Sequence, residues 1–330
     1  MASDREQFLA LVQRGDIISA KVPEALSEAG IAPDLARWRT FIDNLLLWLG
    51  ASTMAAGVLF FVAYNWEAMG RFTQFGLIQA LIVVAVCCYA WFGGKKERIG
   101  KVSLFVASIL LGVLLALYGQ TYQTGADPWQ LFAVWAVLML PWAVIARFTP
   151  LWLMFIALLN IAFMLYCSTF RPSVGVLLNS ERTVGVGLLL LNGLALLIWE
   201  WRMPYSKWLQ DVWSPRLLAI AACIPFTLVA IEAILSRFDS LVPVLVLVWS
   251  GLAVLMVYFY RYRRPDLFML AAACFAGGAV VLAFLIAQVF DRFTGGGGQF
   301  LFMAIAIIAM GTGAAVWLRK TQKAMFEEAG

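Results

Sequence analysis

Apolar stretches of about 18–25 residues recur along almost the whole of this 330-residue chain. Ten are recognisable, at roughly 42–64, 75–92, 102–119, 130–146, 151–170, 184–200, 217–235, 241–260, 267–290 and 300–318. Each is long enough to cross a hydrocarbon core roughly 30 Å thick as a helix. In hydrocarbon every backbone donor and acceptor must be satisfied by the chain itself, and a linear series of such stretches meets that demand by coiling into helices. With 63% hydrophobic and 13% charged residues, the composition leaves little material for a water-soluble surface. The expected fold class is all-α, a polytopic membrane protein of about ten transmembrane helices. It divides into a small cytosolic helical hairpin (1–40), a transmembrane bundle (41–320) and a short cytosolic tail (321–330).

The hairpin is read from local signals. Ser3 with Glu6 fits a capping box, Gly15-Asp16 breaks the first helix, and Ser19 starts a second that Gly30 ends. The segment lacks the basic, apolar and small-residue order of a cleavable signal, so the first span is expected to direct insertion.

Lys and Arg set the orientation. If the amino terminus is cytoplasmic, 19 of the 24 basic residues fall on inside segments, and only Arg71, Arg171, Arg182, Arg237 and Arg292 fall outside. That asymmetry predicts cytoplasmic termini, and a missed or invented span would reverse it in every later loop. The net charge of +5 therefore reflects membrane orientation, and the scattered cations form no nucleic-acid surface.

Several chemistries are excluded or disfavoured. Histidine is absent, which removes His-based acid–base catalysis, His triads and His metal ligands. Cys87, Cys88, Cys167, Cys223 and Cys274 lie inside apolar runs without metal-ligand spacing and read as small core residues. No cofactor is expected, and no nucleophile motif supports an intramembrane enzyme. Gly295–Gly298 reads as a connector, because no Lys or Ser/Thr follows it as a phosphate loop requires.

The polar residues carry what functional signal there is. The segment Tyr118–Trp129, Y-G-Q-T-Y-Q-T-G-A-D-P-W, is a dense polar and aromatic turn between two apolar runs. Asn65, Glu67, Gln120, Gln123, Asp127, Glu232 and Gln288 fall near the outer ends of their spans, whereas the inner half holds few equivalents beyond Asp43 and Asn44. Two readings follow: an outward-facing polar vestibule, or interfacial side chains facing headgroups. Glu232, inside A-I-E-A-I-L, is either a functional intramembrane carboxylate or one that reaches water or Arg237. Asn160 and Asn192, at the middles of adjacent spans, predict an interhelical hydrogen bond rather than a substrate contact.

The chain also resembles a known family. G-V-L-F-F-V-A-Y-N-W-E at 57–67, G-Q-T-Y-Q-T-G-A-D at 119–127 and L-F-A-V-W-A-V-L-M-L-P at 131–141 are similar to the bacterial predicted membrane proteins of domain of unknown function 2157. G-D-I-I-S at 15–19 resembles the short cytosolic hairpin before the first span in that family. The resemblance covers roughly 5–170. It implies a bacterial inner-membrane location, marks Asn65, Trp66, Glu67, Gln120, Tyr122 and Gln123 as motif positions, and assigns no activity. It also implies a periplasm-facing, membrane-anchored protein as a partner on the outer face.

The leading expectation is a protein that binds or moves a small or amphipathic molecule, a lipid among the candidates, through an outward-facing polar site. Glu67, Asp127 and Glu232 would supply acidic contacts, and Gln120, Tyr122 and Gln123 would orient the ligand. The alternative is a non-transporting scaffold or assembly partner that holds a periplasmic or membrane protein; a homo-oligomer is a separate expectation for the chain.

Overall fold

The computed structural model describes residues 66, 68–94, 96–123, 125–170, 180–236, 242–292 and 298–329, with scattered helical positions between 38 and 64. The hairpin expected over 1–40 and most of the first apolar stretch lie outside the described residues, as do Asn65, Glu67, Arg171, Arg237 and most of the glycine run.

Among the described residues nine long helices follow in order: α1 (Arg71–Phe92), α2 (Glu97–Tyr122), α3 (Pro128–Ala146), α4 (Thr149–Thr169), α5 (Ser180–Arg202), α6 (Trp213–Leu235), α7 (Val242–Tyr258), α8 (Leu267–Arg292) and α9 (Gly298–Ala329). All nine are long and apolar enough to cross a membrane, and among the described residues there is no strand. They correspond one by one to the last nine apolar stretches, so the chain is an all-α, multi-pass membrane protein. Two short 3₁₀ turns, Met203–Tyr205 and Lys207–Leu209, join α5 to α6, and a π turn at Phe259–Arg263 closes α7.

Most of the helices are longer than the apolar runs that announce them. α2 continues through Gln120 and Tyr122, and α9 continues through the segment expected as a tail. Helix propagation adds one backbone bond per residue, so good helix formers beyond the apolar core extend it into the interface. Pro128 and Pro150 stand in the first turns of α3 and α4, where the absent N–H would have no intrahelical partner in any case. Between these helices Arg147 adopts a left-handed conformation (φ 46°), which compresses the connection to two residues.

The chain separates into two compact units, residues 1–74 with 323–330, and residues 75–322. In the first, the Trp66 carbonyl accepts from Gln74 Nε2 at 2.7 Å and from the Met69 N–H, folding the entry to α1 into a turn.

In the second unit neighbouring helices pack in sequence: α3 against α2 and α4, α4 against α5, and α5 against α6, which also receives α7 and α8. One core cluster joins Leu104 of α2 to Met139 and Ala143 of α3 and to Leu151 and Leu158 of α4. A second joins Ile156, Trp199, Leu209 and Leu218, and a third joins Ala230 and Ile234 of α6 to Val280, Ala283 and Ala287 of α8. Lipid tails are as apolar as leucine, so these contacts are held by close van der Waals fit rather than by exclusion of water. That explains the alanines at the seams and the glycines beneath large side chains: Gly112 lies under the Trp135 ring and Gly187 under Phe163. Trp135 is fixed there because its indole N–H donates to the Ser108 carbonyl at 2.7 Å.

Candidate functional site

The polar turn is built by the end of α2 and the start of α3. Gln123 closes α2 in the left-handed region (φ 44°) and Gly125 repeats that conformation (φ 64°), so the chain reverses within a few residues. Asp127 then takes an extended conformation and its carbonyl receives the Gln130 N–H at 3.0 Å, which starts α3 at Pro128. Gly125 meets the left-handed demand without steric cost; Gln123 meets it at a cost of roughly 1 kcal/mol.

This backbone presents its side chains outward. Tyr118 and Tyr122 meet at a tilt of 45° with centroids 4.9 Å apart, Phe75 meets Tyr122 at 6.1 Å, and Tyr122 is still 59% exposed. Gln120 and Gln123 are exposed and Asp127 half-buried, and no hydrogen bond joins any of the three side chains to another described residue. Trp129 turns the other way, edge-on to Tyr166 of α4 at 5.2 Å, and fastens the turn to the bundle. The cluster is a surface of two rings, two amides and a carboxylate on a rigid reversal.

Glu232 lies in a different part of the bundle. Its helix, α6, packs on α5, α7 and α8, whereas the polar turn belongs to the α2, α3 and α4 cluster. The carboxylate receives two bonds from Arg182 of α5, from Nε to Oε2 at 2.7 Å and from Nη2 to Oε1 at 3.1 Å. The same Nη2 reaches Ser236 Oγ at 3.3 Å. The Arg182 side chain is only 6% exposed, that of Glu232 37%. Fork-to-fork pairing is the geometry that best offsets removing two charges from water. By charge counting alone Arg182 is simply an outer-side cation. Nothing in the sequence pairs it with a residue fifty positions away except its place at the mouth of the adjoining span. Gln288 stands exposed on α8. Trp66 offers its carbonyl to Gln74, as described above.

The opposite ends of the helices hold more polar structure than their sequence suggests. Glu200 of α5 accepts from Arg264 and, at 3.1 Å, from the Tyr260 hydroxyl. Arg216 of α6 forks onto Asp266, Nε to Oδ2 at 3.0 Å and Nη2 to Oδ1 at 3.1 Å. Glu200 and Asp266 stand at span ends, and their pairing is set by tertiary contact. No group of three or more metal-ligating side chains occurs among the described residues.

Residues 10–152 match the family model described as Predicted membrane protein, domain of unknown function 2157. That interval contains the two polar motifs and bears out the resemblance they carry. No curated protein and no solved structure matches the chain.

Proposed function

We propose that the chain, whose residues 10–152 match this family of predicted membrane proteins, is a membrane scaffold that docks a second membrane or membrane-facing protein. The docking element is the turn from Tyr118 to Trp129. The observation that carries this reading is the outward display of Tyr122, Gln120 and Gln123 on a reversal anchored from behind by Trp129. Exposed tyrosines and amides on a fixed backbone give contact area and directional bonds at small entropic cost, as binding surfaces require. The intramembrane acid Glu232 is held by Arg182, which favours a structural role for it over that of a mobile charge.

The test is purification from native membranes with lipid-polymer discs, comparing the wild type with Tyr122→Ala and Gln123→Gly. Gly relieves the left-handed residue, so the second variant keeps the turn while removing the amide. A stoichiometric partner should accompany the wild type and be lost from both variants at unchanged yield. A wild-type protein that emerges alone, or with only its own copies, overturns the docking reading.

The second reading is binding or transport of a small or amphipathic molecule at an outward-facing site with Glu232 as an acidic contact. Its support is the 37% exposure that Glu232 retains despite the pair, which leaves one face of the carboxylate open. Under it, Glu232→Gln abolishes pH-dependent uptake into vesicles, and unchanged uptake removes it.

A further inference from the structure

One carboxylate ties the end of α5 to the π turn that closes α7. Because Glu200 binds both Arg264 and Tyr260, its neighbours Trp201 and Arg202 are drawn to the level of Arg261, Tyr262 and Arg263. The turn is a π turn because the Arg264 N–H bonds the Phe259 carbonyl at 3.0 Å, five residues back. Such one-turn π segments insert an extra residue and re-aim the side chains around them.

The charges at this corner do not cancel. Glu200 is matched by Arg264, and Asp266 by Arg216. Asp211 turns to the start of α6, where it accepts from the Trp213 N–H and the Ser214 hydroxyl. Arg202 and Arg263 stand beside these pairs and leave the corner net positive. Arg202 lies 5.5 Å from the Trp201 ring centroid and Arg261 lies 5.4 Å from that of Tyr262. Arg202, Trp201 and Tyr262 are exposed and Arg263 stands with them at the same turn.

Along the bilayer from these arginines runs a helix, α7, one face of which is exposed. α7 buries none of its residues, and Leu247, Val254, Leu255 and Tyr258 are all more than half exposed. Tyr258 and Tyr262, with centroids 5.3 Å apart, stand where this apolar face gives way to the cations. Read down the helix, the order is apolar, then aromatic, then guanidinium. A glycerophospholipid has the matching order of acyl chain, glycerol ester and phosphate.

We propose that this corner binds an anionic glycerophospholipid. Its chains lie along α7, its glycerol region rests on Tyr258, Tyr262 and Trp201, and its phosphate is held by Arg202 and Arg263. Guanidinium forks suit phosphate oxygens, and the Trp201 ring beneath Arg202 holds that cation in place without neutralising it. The site lies apart from the Tyr118–Trp129 turn and stands or falls independently of the docking reading.

The test reconstitutes the full chain into phosphatidylcholine vesicles carrying trace spin-labelled phosphatidylglycerol or spin-labelled phosphatidylcholine, and measures the motionally restricted fraction by electron paramagnetic resonance. The wild type should favour the anionic label severalfold, and Arg202→Gln and Arg263→Gln should each lower that preference by up to about fivefold, equivalent to about 1 kcal/mol. Both single variants leave the Glu200–Arg264 pair intact, and retained circular dichroism shows that they are folded. Equal affinity for the two labels in the wild type, or a preference unchanged in both variants, overturns the proposal. Displacement of the anionic label by millimolar inorganic phosphate would also overturn it, since that assigns the site to the free ion.

Discussion

Asn160 of α4 and Asn192 of α5 exchange their amides. Asn192 Nδ2 donates to Asn160 Oδ1 at 2.6 Å and Asn160 Nδ2 donates back to Asn192 Oδ1 at 3.0 Å. Each Nδ2 also donates to a carbonyl on its own helix, that of Ile156 or Leu188, so the donors of the pair are well used in a layer where Asn192 is 1% exposed. Replacing either residue with leucine breaks both interhelical bonds, so the second replacement should add little. A double-mutant cycle on unfolding free energy should give a coupling of about 1 kcal/mol, and additive single effects would show that the amides do not act together.

The Arg182–Glu232 clamp should respond asymmetrically. Glu232→Ala takes two charge-assisted bonds from a guanidinium whose side chain is only 6% exposed and should cost about 1–3 kcal/mol. Arg182→Gln leaves a carboxylate that already has more than a third of its side chain exposed and that can turn toward its open face. It should be the milder change. The double variant Arg182→Gln/Glu232→Gln should recover a large part of the loss seen in Glu232→Ala. Equal costs for the two single changes, measured by unfolding in mixed micelles, would contradict this account.

What could be read from the residues alone follows from what kind of information each feature needs. Span positions depend on local composition, so nine of the apolar stretches recur as helices, with ends displaced by a few residues, as where Gln120 and Tyr122 extend α2. The Asn160–Asn192 bond was legible because two amides at matching depths in consecutive antiparallel spans have few other partners. Arg182, Glu200, Arg264 and Asp266 were visible only as charges at span ends. The counting that orients a membrane protein treats such charges as labels of a side and is blind to their pairing. Which face Gln120 or Asp127 presents depends on helix phase and on the left-handed Gln123, neither of which composition encodes.

Glycine placement gives a steric prediction. A Cβ on Gly112 would stand 2.3 Å from the Trp135 ring, and that ring is fixed by its bond to the Ser108 carbonyl. Gly112→Ala should therefore force α2 and α3 apart and cost about 1–3 kcal/mol. Gly193, in the middle of α5, has no neighbouring atom within 4 Å of the position that a Cβ would take, so Gly193→Ala should be neutral or stabilising by up to about 1 kcal/mol. Thermal unfolding of the two variants side by side checks the contrast, and similar losses in both would refute it.

Asp266 does two jobs, and substitution can separate them. Its Oδ1 accepts the Phe268 N–H at 2.9 Å and the Met269 N–H at 3.4 Å, which caps α8, while both oxygens hold Arg216. Asp266→Asn removes the charge and keeps a capping oxygen, whereas Asp266→Ala removes both. Arg216 is packed independently of the carboxylate, its guanidinium lying 5.1 Å from the Phe268 ring and 5.7 Å from that of Trp213. Loss of the charge should therefore leave the arginine in place. The extra cost of Asp266→Ala over Asp266→Asn should be about 1 kcal/mol, the worth of a cap. Amide exchange should locate it: the first turn of α8 should exchange about fivefold faster in Asp266→Ala than in Asp266→Asn, with the middle of the helix unchanged. Equal acceleration along all of α8 would mean that Asp266 supports the helix through Arg216 rather than through its first turn.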